Sequence, residues 1–221
     1  LKNFPDCFRE YADMLTWFEP YRKVLDTSNP PFWKWFVGGK INVSYNCVDR
    51  HLAQYRNKAA LIFVSEPEAE PTIALTYGEL HVRVNEMAAL LRDFCGLKAG
   101  DRVTLHLPMT LELPITMLAC ARLGVIHSQV FGGFSGQACG ARIQDSGSHI
   151  LISMDAYWRA GKLGDHKINA DIAVQTAKEL GQNVDKVLIW QRYPGKSSSP
   201  TPMVQGRDFF VNELLKNYQR K

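Results

Sequence analysis

The 221-residue chain is long enough for one large domain, and its 46% hydrophobic and 11% aromatic content argues against disorder. Its net charge of +4 is mild and its basic residues are scattered, so nucleic acid is not an expected partner. The longest apolar stretch, 111–126, is short for a membrane span and carries Glu112 and Arg122. The five cysteines include no Cys-x-x-Cys pair, which is typical of a reducing compartment. We therefore predict a cytoplasmic protein that does not bind membranes.

The first 44 residues are predicted to form an irregular or helical extension that packs on the main body. A helix is expected to begin within 4–11, and the Pro- and Trp-rich stretch 30–35 lacks periodicity, which favours irregular packing. A short helix over 46–55 and a strand over 59–64 then open the second predicted unit, 45–221.

Helices and strands alternate along this second unit. Thr76 and Glu79 have the spacing of a capping box, and Gly96 is placed to end the helix that follows. Short apolar runs and glycine stops predict the remaining strands over 103–107, 125–131, 150–154 and 187–190, and helices over 111–123, 135–145, 171–180 and 209–215, with a loop over 195–200. This alternation predicts an α/β fold with a mostly parallel sheet flanked by helices. Ligands of such sheets bind beyond the carboxyl ends of the strands, so the loops after Phe131 and Met154 are the first candidates for a site.

The loop after Phe131 reads Phe-Gly-Gly-Phe-Ser and enters a helix. Gly132 and Gly133 would let a ligand approach the backbone, and the helix start offers free amides to an anion. The loop lacks the Gly-x-Gly-x-x-Gly fingerprint, so taken alone it fits a tight structural turn better than a ligand site.

The segment after Met154 contains Arg159-Ala160-Gly161-Lys162. Two cations three residues apart could flank a phosphate, with the arginine donating a forked pair of hydrogen bonds. A solvated basic turn with Trp158 packed inward explains the same spacing with no ligand, and on spacing alone it is the better interpretation.

No self-sufficient catalytic set is visible in the sequence. The six histidines lack metal-ligand spacing, Ser153 and Asp155 fit no triad, and no Gly-x-Ser-x-Gly motif occurs. A dinucleotide-binding interpretation fails because both the glycine fingerprint and the ribose carboxylate are missing.

Several segments together resemble the acetyl-coenzyme A synthetases of the adenylate-forming superfamily. They occur in that family's order over 33–51, 75–80, 108–109, 117–124, 127–128, 131–135, 142–146, 159–162 and 205–208. The resemblance implies part of the large amino-terminal domain of such an enzyme. It also implies the family's reaction, in which a carboxylate, typically acetate, and ATP with Mg²⁺ give an acyl-adenylate that the thiol of coenzyme A (CoA) then attacks.

The resemblance also implies which parts of the active site this sequence has. In the family, the phosphate-binding loop, the acyl pocket, the ribose-binding aspartate and the catalytic lysine lie further along the polypeptide, so these 221 residues are expected to be inactive without the remainder. What the family places here is part of the CoA nucleotide site: Arg159, Ala160, Gly161, Lys162, Phe131, Gly132 and Gly133. Many relatives have arginine where Lys162 stands, and the loop over 163–169 is longer than in some of them. The alternative is a non-catalytic scaffold without a useful ligand.

Overall fold

The amino-terminal part of the chain consists of short helices and one antiparallel hairpin. The computed structural model describes residues 3–196 and 201–219. Its first elements are a 3₁₀ turn (Asp6–Phe8), α1 (Arg9–Asp13), β1 (Lys23–Asp26), β2 (Lys34–Val37), α2 (Val43–Cys47), a second 3₁₀ turn (Asp49–His51) and α3 (Leu52–Tyr55). The helix start predicted within 4–11 is confirmed. Irregular packing is wrong for Trp35, which pairs with Leu25 in the β1–β2 hairpin while its ring meets Phe8 edge-on at 4.9 Å.

The helix predicted over 46–55 is wrong as a continuous element. It starts earlier, at Val43, because the Asn42 side chain caps α2 by accepting a hydrogen bond from the Tyr45 amide at 3.1 Å. It is interrupted at Val48, whose φ of −125° and ψ of −64° are not helical. The Asn46 side chain exchanges hydrogen bonds of 2.8 and 3.0 Å with the Thr16 backbone. These bonds attach the first residues of the chain to α2.

The main body alternates strands and helices, as predicted. Its elements are β3 (Ala59–Phe63), β4 (Ile73–Thr76), α4 (Tyr77–Asp93), β5 (Arg102–Leu107), α5 (Glu112–Leu123), β6 (Ile126–Phe131), α6 (Gly136–Ser146), β7 (Ile150–Met154), β8 (Ala156–Arg159), β9 (Lys162–Asp165), α7 (Lys167–Glu179), β10 (Lys186–Trp190), β11 (Asp208–Phe210) and α8 (Val211–Leu215). Five strands form one parallel sheet in the order β11-β10-β7-β5-β6. The predicted α/β class with a mostly parallel sheet is confirmed.

Helices cover both faces of this sheet. Ile152 and Leu188 point into a core with α4 and α5, whereas their neighbours Leu151 and Val187 point into a second core with α6 and α7. This alternation follows from the two-residue period of a strand, and burial on both faces requires the continuous apolar runs seen in the sequence.

The predicted helix boundaries in the main body rest on local chemistry that the structure confirms. Thr76 and Glu79 form the full capping box, with bonds of 3.2 Å from the Glu79 amide and 2.8 Å from the Thr76 amide. Gly96 follows α4 with a φ of +70°, and Gly124 ends α5 with a φ of +73°. Ser135 caps α6 by accepting from the Ala138 amide at 3.2 Å.

Other elements of the main body also differ from the prediction. Phe209 and Phe210 belong to strand β11, not to the last helix, because they pair with β10 at the edge of the sheet. Helix α7 begins at Lys167, and residues 163–165 lie in strand β9, so the long loop expected over 163–169 is absent. Strand β4 was not predicted. Of the loop expected over 195–200, only 195–196 lie within the described residues.

Candidate functional site

A cavity of about 250 Å³ lies beyond the carboxyl ends of the parallel strands. It is bordered by the residues that follow β5, β6, β7 and β10, together with the segment that leaves β3. Its lining residues are Phe63, Val64, Ser65, Glu66, Pro108, Met109, Thr110, Phe131, Gly133, Tyr157, Trp158, Arg159, Arg192 and Tyr193. The loops after Phe131 and Met154, which sequence analysis favoured, thus meet at the edge where parallel sheets bind their ligands.

The glycine loop is held tightly against its neighbours. A Cβ on Gly132 would lie 2.8 Å from the backbone nitrogen of Pro108, so only glycine fits against the turn after β5 without a backbone shift. A Cβ on Gly133 would overlap the guanidinium of Arg159. The Tyr157 hydroxyl donates a 2.9 Å hydrogen bond to the Gly132 carbonyl. The predicted close approach at these glycines is therefore used by the protein itself, which fixes the loop against β8.

Arg159 and Lys162 face each other across a two-residue hairpin turn that joins β8 and β9. Ala160 and Gly161 both have positive φ, +51° and +74°, as a type I′ turn requires. Directly opposed residues of an antiparallel pair point to the same face, so the two cations lie side by side. The turn is exposed, and neither cation forms an ion pair with a residue that the structure describes.

Some of the predicted site residues line the cavity and others lie beside it. The Arg159 guanidinium lies 5.5 Å from the centre of the Phe131 ring, a cation–π arrangement at the cavity wall. Gly133 lines the same wall, and Gly132 lies behind it against Pro108. Lys162 extends from the turn and does not line the cavity. Phe131, Gly133 and Arg159 thus form one surface, with Lys162 at its rim.

Comparison with known proteins identifies the family. The sequence model of AMP-binding enzymes matches residues 48–208, well over half of the chain. The model of the acetyl-coenzyme A synthetase N-terminus matches residues 1–47. The chain belongs to the AMP-binding enzyme family.

Curated relatives of this chain include acetyl-coenzyme A synthetases from archaea and bacteria. The protein of Pyrobaculum arsenaticum is 44% identical over 97% of this chain and 32% of its own length. The proteins of Methanothrix thermoacetophila and Helicobacter acinonychis are 43% and 44% identical, over 98% and 99% of this chain and 31% and 32% of their own lengths. The resemblance to acetyl-coenzyme A synthetases is confirmed, and the chain spans about a third of the length of these relatives.

Two further groups of cavity residues were missed by sequence analysis. Arg192 lies two residues after the end of β10, pairs with Glu112 at 3.0 Å and stacks 4.4 Å from the centre of the Phe63 ring. Arg192 and Tyr193 come shortly after β10, a strand that the sequence did predict. This position at the carboxyl end of a strand could have marked both residues as candidates for the site. The acidic segment after β3 has no comparable motif, yet it contributes Glu66 to the cavity.

Glu70 belongs to the same segment and attaches it to the rest of the site. Its carboxylate accepts hydrogen bonds from the Ser65 hydroxyl at 2.5 Å and the Tyr193 hydroxyl at 2.8 Å. The bond from Ser65 is the main reason that the pKa of Glu70 is lowered, against the opposing effect of burial. The segment after β3 is therefore held to the loop after β10 by an ionised carboxylate.

Asp155 connects the two strand ends beneath the hairpin. Its buried carboxylate accepts hydrogen bonds of 2.7 to 2.9 Å from the amides of Ala156, Arg192 and Tyr193. It satisfies backbone donors that would otherwise be buried without partners, so it fixes the loop after β10 against the start of β8. Asp155 thus shapes the candidate site without belonging to a triad.

A pair of buried histidines lies under the glycine loop. His106 and His166 have ring centres 4.4 Å apart, and the Tyr157 ring packs edge-on against His166 at 5.1 Å. Burial lowers the pKa of His106 to about 4. Burial and the neighbouring His106 lower that of His166 to about 3. Both rings are neutral near pH 7, and three of their nitrogens have no hydrogen-bond partner among the described residues.

The carboxy-terminal motif 205–208 lies away from the cavity, in a buried cluster of charged side chains. Lys167 is buried and contacts Asp171 at 2.8 Å and Asp208 at 2.9 Å, and Arg207 bonds to both carboxylates. Burial raises the pKa of Asp208, but hydrogen bonds from Arg207, Lys167 and the Val204 amide outweigh it and lower the pKa overall. None of the four charged residues lines the cavity.

No group of three or more His, Cys, Asp or Glu side chains is placed to hold a metal ion in the ranges 3–196 and 201–219. In the same ranges, no helix is long and apolar enough to cross a membrane.

Proposed function

We propose that this chain is the amino-terminal part of an AMP-forming acetate–CoA ligase, located in the cytoplasm. The whole enzyme would convert acetate, or a similar short-chain carboxylate, together with ATP and CoA to the acyl-CoA, AMP and diphosphate, with Mg²⁺ accompanying ATP. Support comes from the match of the acetyl-coenzyme A synthetase N-terminus to residues 1–47 and from relatives of that name. The described residues offer no cluster suited to Mg²⁺, so no metal ligand is assigned to this chain.

The chain's own contribution in this proposal is part of the CoA nucleotide site. One observation supports it above the others: Arg159 and Phe131 meet at a single cavity edge, with Gly133 in contact with both. Arg159 would donate a forked pair of hydrogen bonds to a phosphate, and Lys162 would add a point charge at the rim. The ring of Phe131 offers a face to a nucleobase, and Gly132 and Gly133 hold the loop so that Phe131 and Arg159 meet at the cavity wall.

The remaining machinery of the reaction is assigned to the part of the polypeptide that the relatives have and these 221 residues do not span. In this proposal the chain makes no acyl-adenylate by itself, and the remainder of its own polypeptide is its natural partner. The 221-residue chain, incubated with acetate, ATP, Mg²⁺ and labelled diphosphate, is expected to form no labelled ATP. Measurable exchange would mean that the catalytic groups lie within these residues.

The CoA assignment is tested by chemical-shift mapping. A titration of the ¹⁵N-labelled chain with CoA, followed by amide spectra, is expected to shift the amides of 131–133 and 159–162 together. Shifts confined to the opposite end of the sheet, or none at millimolar CoA, would reject this part of the proposal.

A further inference from the structure

The hairpin turn that presents Arg159 and Lys162 already holds an anion from the protein itself. The Gly161 amide donates a short hydrogen bond to Oε1 of Glu66, 95 residues earlier in the chain. The two central residues of a two-residue turn have amides that the strand ladder does not use. Glu66 therefore occupies one of the free backbone donors at the tip of this turn.

The position of Glu66 relative to the cations makes this contact more than a turn stabiliser. Glu66 and Arg159 line the same cavity, and the Arg159–Lys162 pair has no ion-pair partner among the described residues. Glu66 forms no ion pair with Arg159 or with Lys162. Its carboxylate instead accepts a hydrogen bond from the amide of Gly161, which stands between these two cations in the chain. A ligand phosphate held by Arg159 and Lys162 would meet this negative charge at close range.

Ala160 supports the view that the turn is shaped for an anion. Residues other than glycine avoid positive φ, and Ala160 adopts +51° at a cost of about 1 kcal/mol. Backbone outliers of this kind concentrate at binding sites.

We propose that Glu66 is an internal counter-anion of the Arg159–Lys162 turn, which a ligand phosphate must displace from the Gly161 amide. This inference rests on the proposed nucleotide site and adds an affinity-determining residue to it. A phosphate of charge near −2 gains more from the two cations than a carboxylate does, so it can replace Glu66. A neutral nucleoside gains nothing from the two cations, so it does not displace the carboxylate and its binding does not depend on Glu66.

The test compares four forms of the 221-residue chain: wild type, Glu66→Gln, Glu68→Gln and Arg159→Ala. Adenosine 3′,5′-bisphosphate serves as the charged probe and adenosine as the neutral one, with the Gly161 amide resonance followed at each addition. Glu68 is the matched control, because it is an exposed carboxylate two residues away with the same charge change. The amide spectra also report whether each variant is folded.

Glu66→Gln is expected to bind the bisphosphate roughly three- to fivefold more tightly than wild type, the size expected for removing one exposed like charge. Adenosine binding is expected to be the same in both, and Glu68→Gln should match wild type. Equal or weaker bisphosphate binding by Glu66→Gln, including no detectable binding, would overturn the role of Glu66. An equal gain in Glu68→Gln would overturn it too, because the effect would then be one of net charge.

The Arg159→Ala variant distinguishes a failure of the Glu66 proposal from a failure of the nucleotide-site proposal on which it rests. If Arg159→Ala weakens bisphosphate binding while Glu66→Gln has no effect, the nucleotide site stands and Glu66 is not its counter-anion. If Arg159→Ala binds as wild type does, the nucleotide site itself is rejected, and the role of Glu66 with it.

Discussion

Two charged clusters of this chain, each of which includes residues of a motif shared with the acetyl-coenzyme A synthetases, have opposite environments. Around Lys167, two cations and two carboxylates neutralise one another, and the side chains of Lys167 and Asp208 are 2% and 0% exposed. At the Arg159–Lys162 turn, two cations stand exposed with no carboxylate within ion-pair distance among the described residues. Cations with internal partners hold the fold together, whereas cations without them are available to a ligand.

The largest expected effect concerns the buried cluster. Asp208→Asn removes a buried carboxylate and leaves Lys167 with Asp171 alone, so we expect the free energy of unfolding to fall by about 3–5 kcal/mol. Arg159→Ala is the matched change at the exposed cluster, and it is expected to alter that free energy by no more than about 0.5 kcal/mol. Urea unfolding of the two variants measures both values. Similar losses in the two variants would remove the distinction between the clusters.

The next effect concerns pH and the histidines under the glycine loop. The folded pKa values of His106 and His166 lie below the unfolded value near 6.5, so the unfolded chain binds protons that the folded chain does not. Stability is therefore full above about pH 6.5 and falls as pH drops towards the folded values. With about 1.4 kcal/mol per pH unit for each ring, we expect a loss of about 3–4 kcal/mol between pH 7 and pH 5.

A variant identifies the source of this pH dependence. His166→Asn is expected to remove roughly half of the loss, since one of two titrating groups is gone. His149→Asn changes an exposed ring, with 61% of its side chain accessible, and is the control. Unfolding curves at several pH values give the free energy of unfolding as a function of pH for each variant. If that dependence is unchanged in His166→Asn, or if His149→Asn reduces it as much, the loss arises from other groups.

The two loop glycines differ in what surrounds them. Gly132→Ala would push against the Pro108 backbone, which cannot move without the loop, so we expect about 1–3 kcal/mol of destabilisation. Gly133→Ala would instead displace the flexible end of Arg159 from Phe131, with a smaller loss of stability but weaker nucleotide binding. Thermal unfolding and bisphosphate titration together separate the two, and a larger stability loss for Gly133→Ala would contradict this view of the loop.

The elements that sequence analysis predicted correctly are those determined by neighbouring residues. The Thr76–Glu79 capping box, the stop at Gly124 and the buried run over 150–154 each act within a few residues, so they are visible in the sequence. Phe209 and Phe210 were misassigned because three residues carry little periodicity and their strand depends on pairing with β10.

The site shows the same division between local and distant determinants. The Arg159–Lys162 motif was found, but its hairpin was not, because Ala-Gly is not the Asn-Gly sequence that announces a type I′ turn. Glu66 was missed because its contact spans 95 residues and no motif marks it. The meeting of the loops after Phe131 and Met154 could be predicted from the general rule for parallel sheets, whereas individual contacts that depend on tertiary packing, such as that of Glu66, could not.

The most direct test of the central claim compares Arg159→Ala with Arg142→Ala in CoA binding by the 221-residue chain. Both arginines lie over aromatic rings, at 5.5 Å from Phe131 and 4.9 Å from Phe134, but only Arg159 lines the cavity. Loss of a charge-assisted contact to phosphate is expected to weaken binding by about tenfold or more in Arg159→Ala, with Arg142→Ala close to wild type. Equal affinities in both variants would contradict the claim that the exposed turn receives the CoA nucleotide.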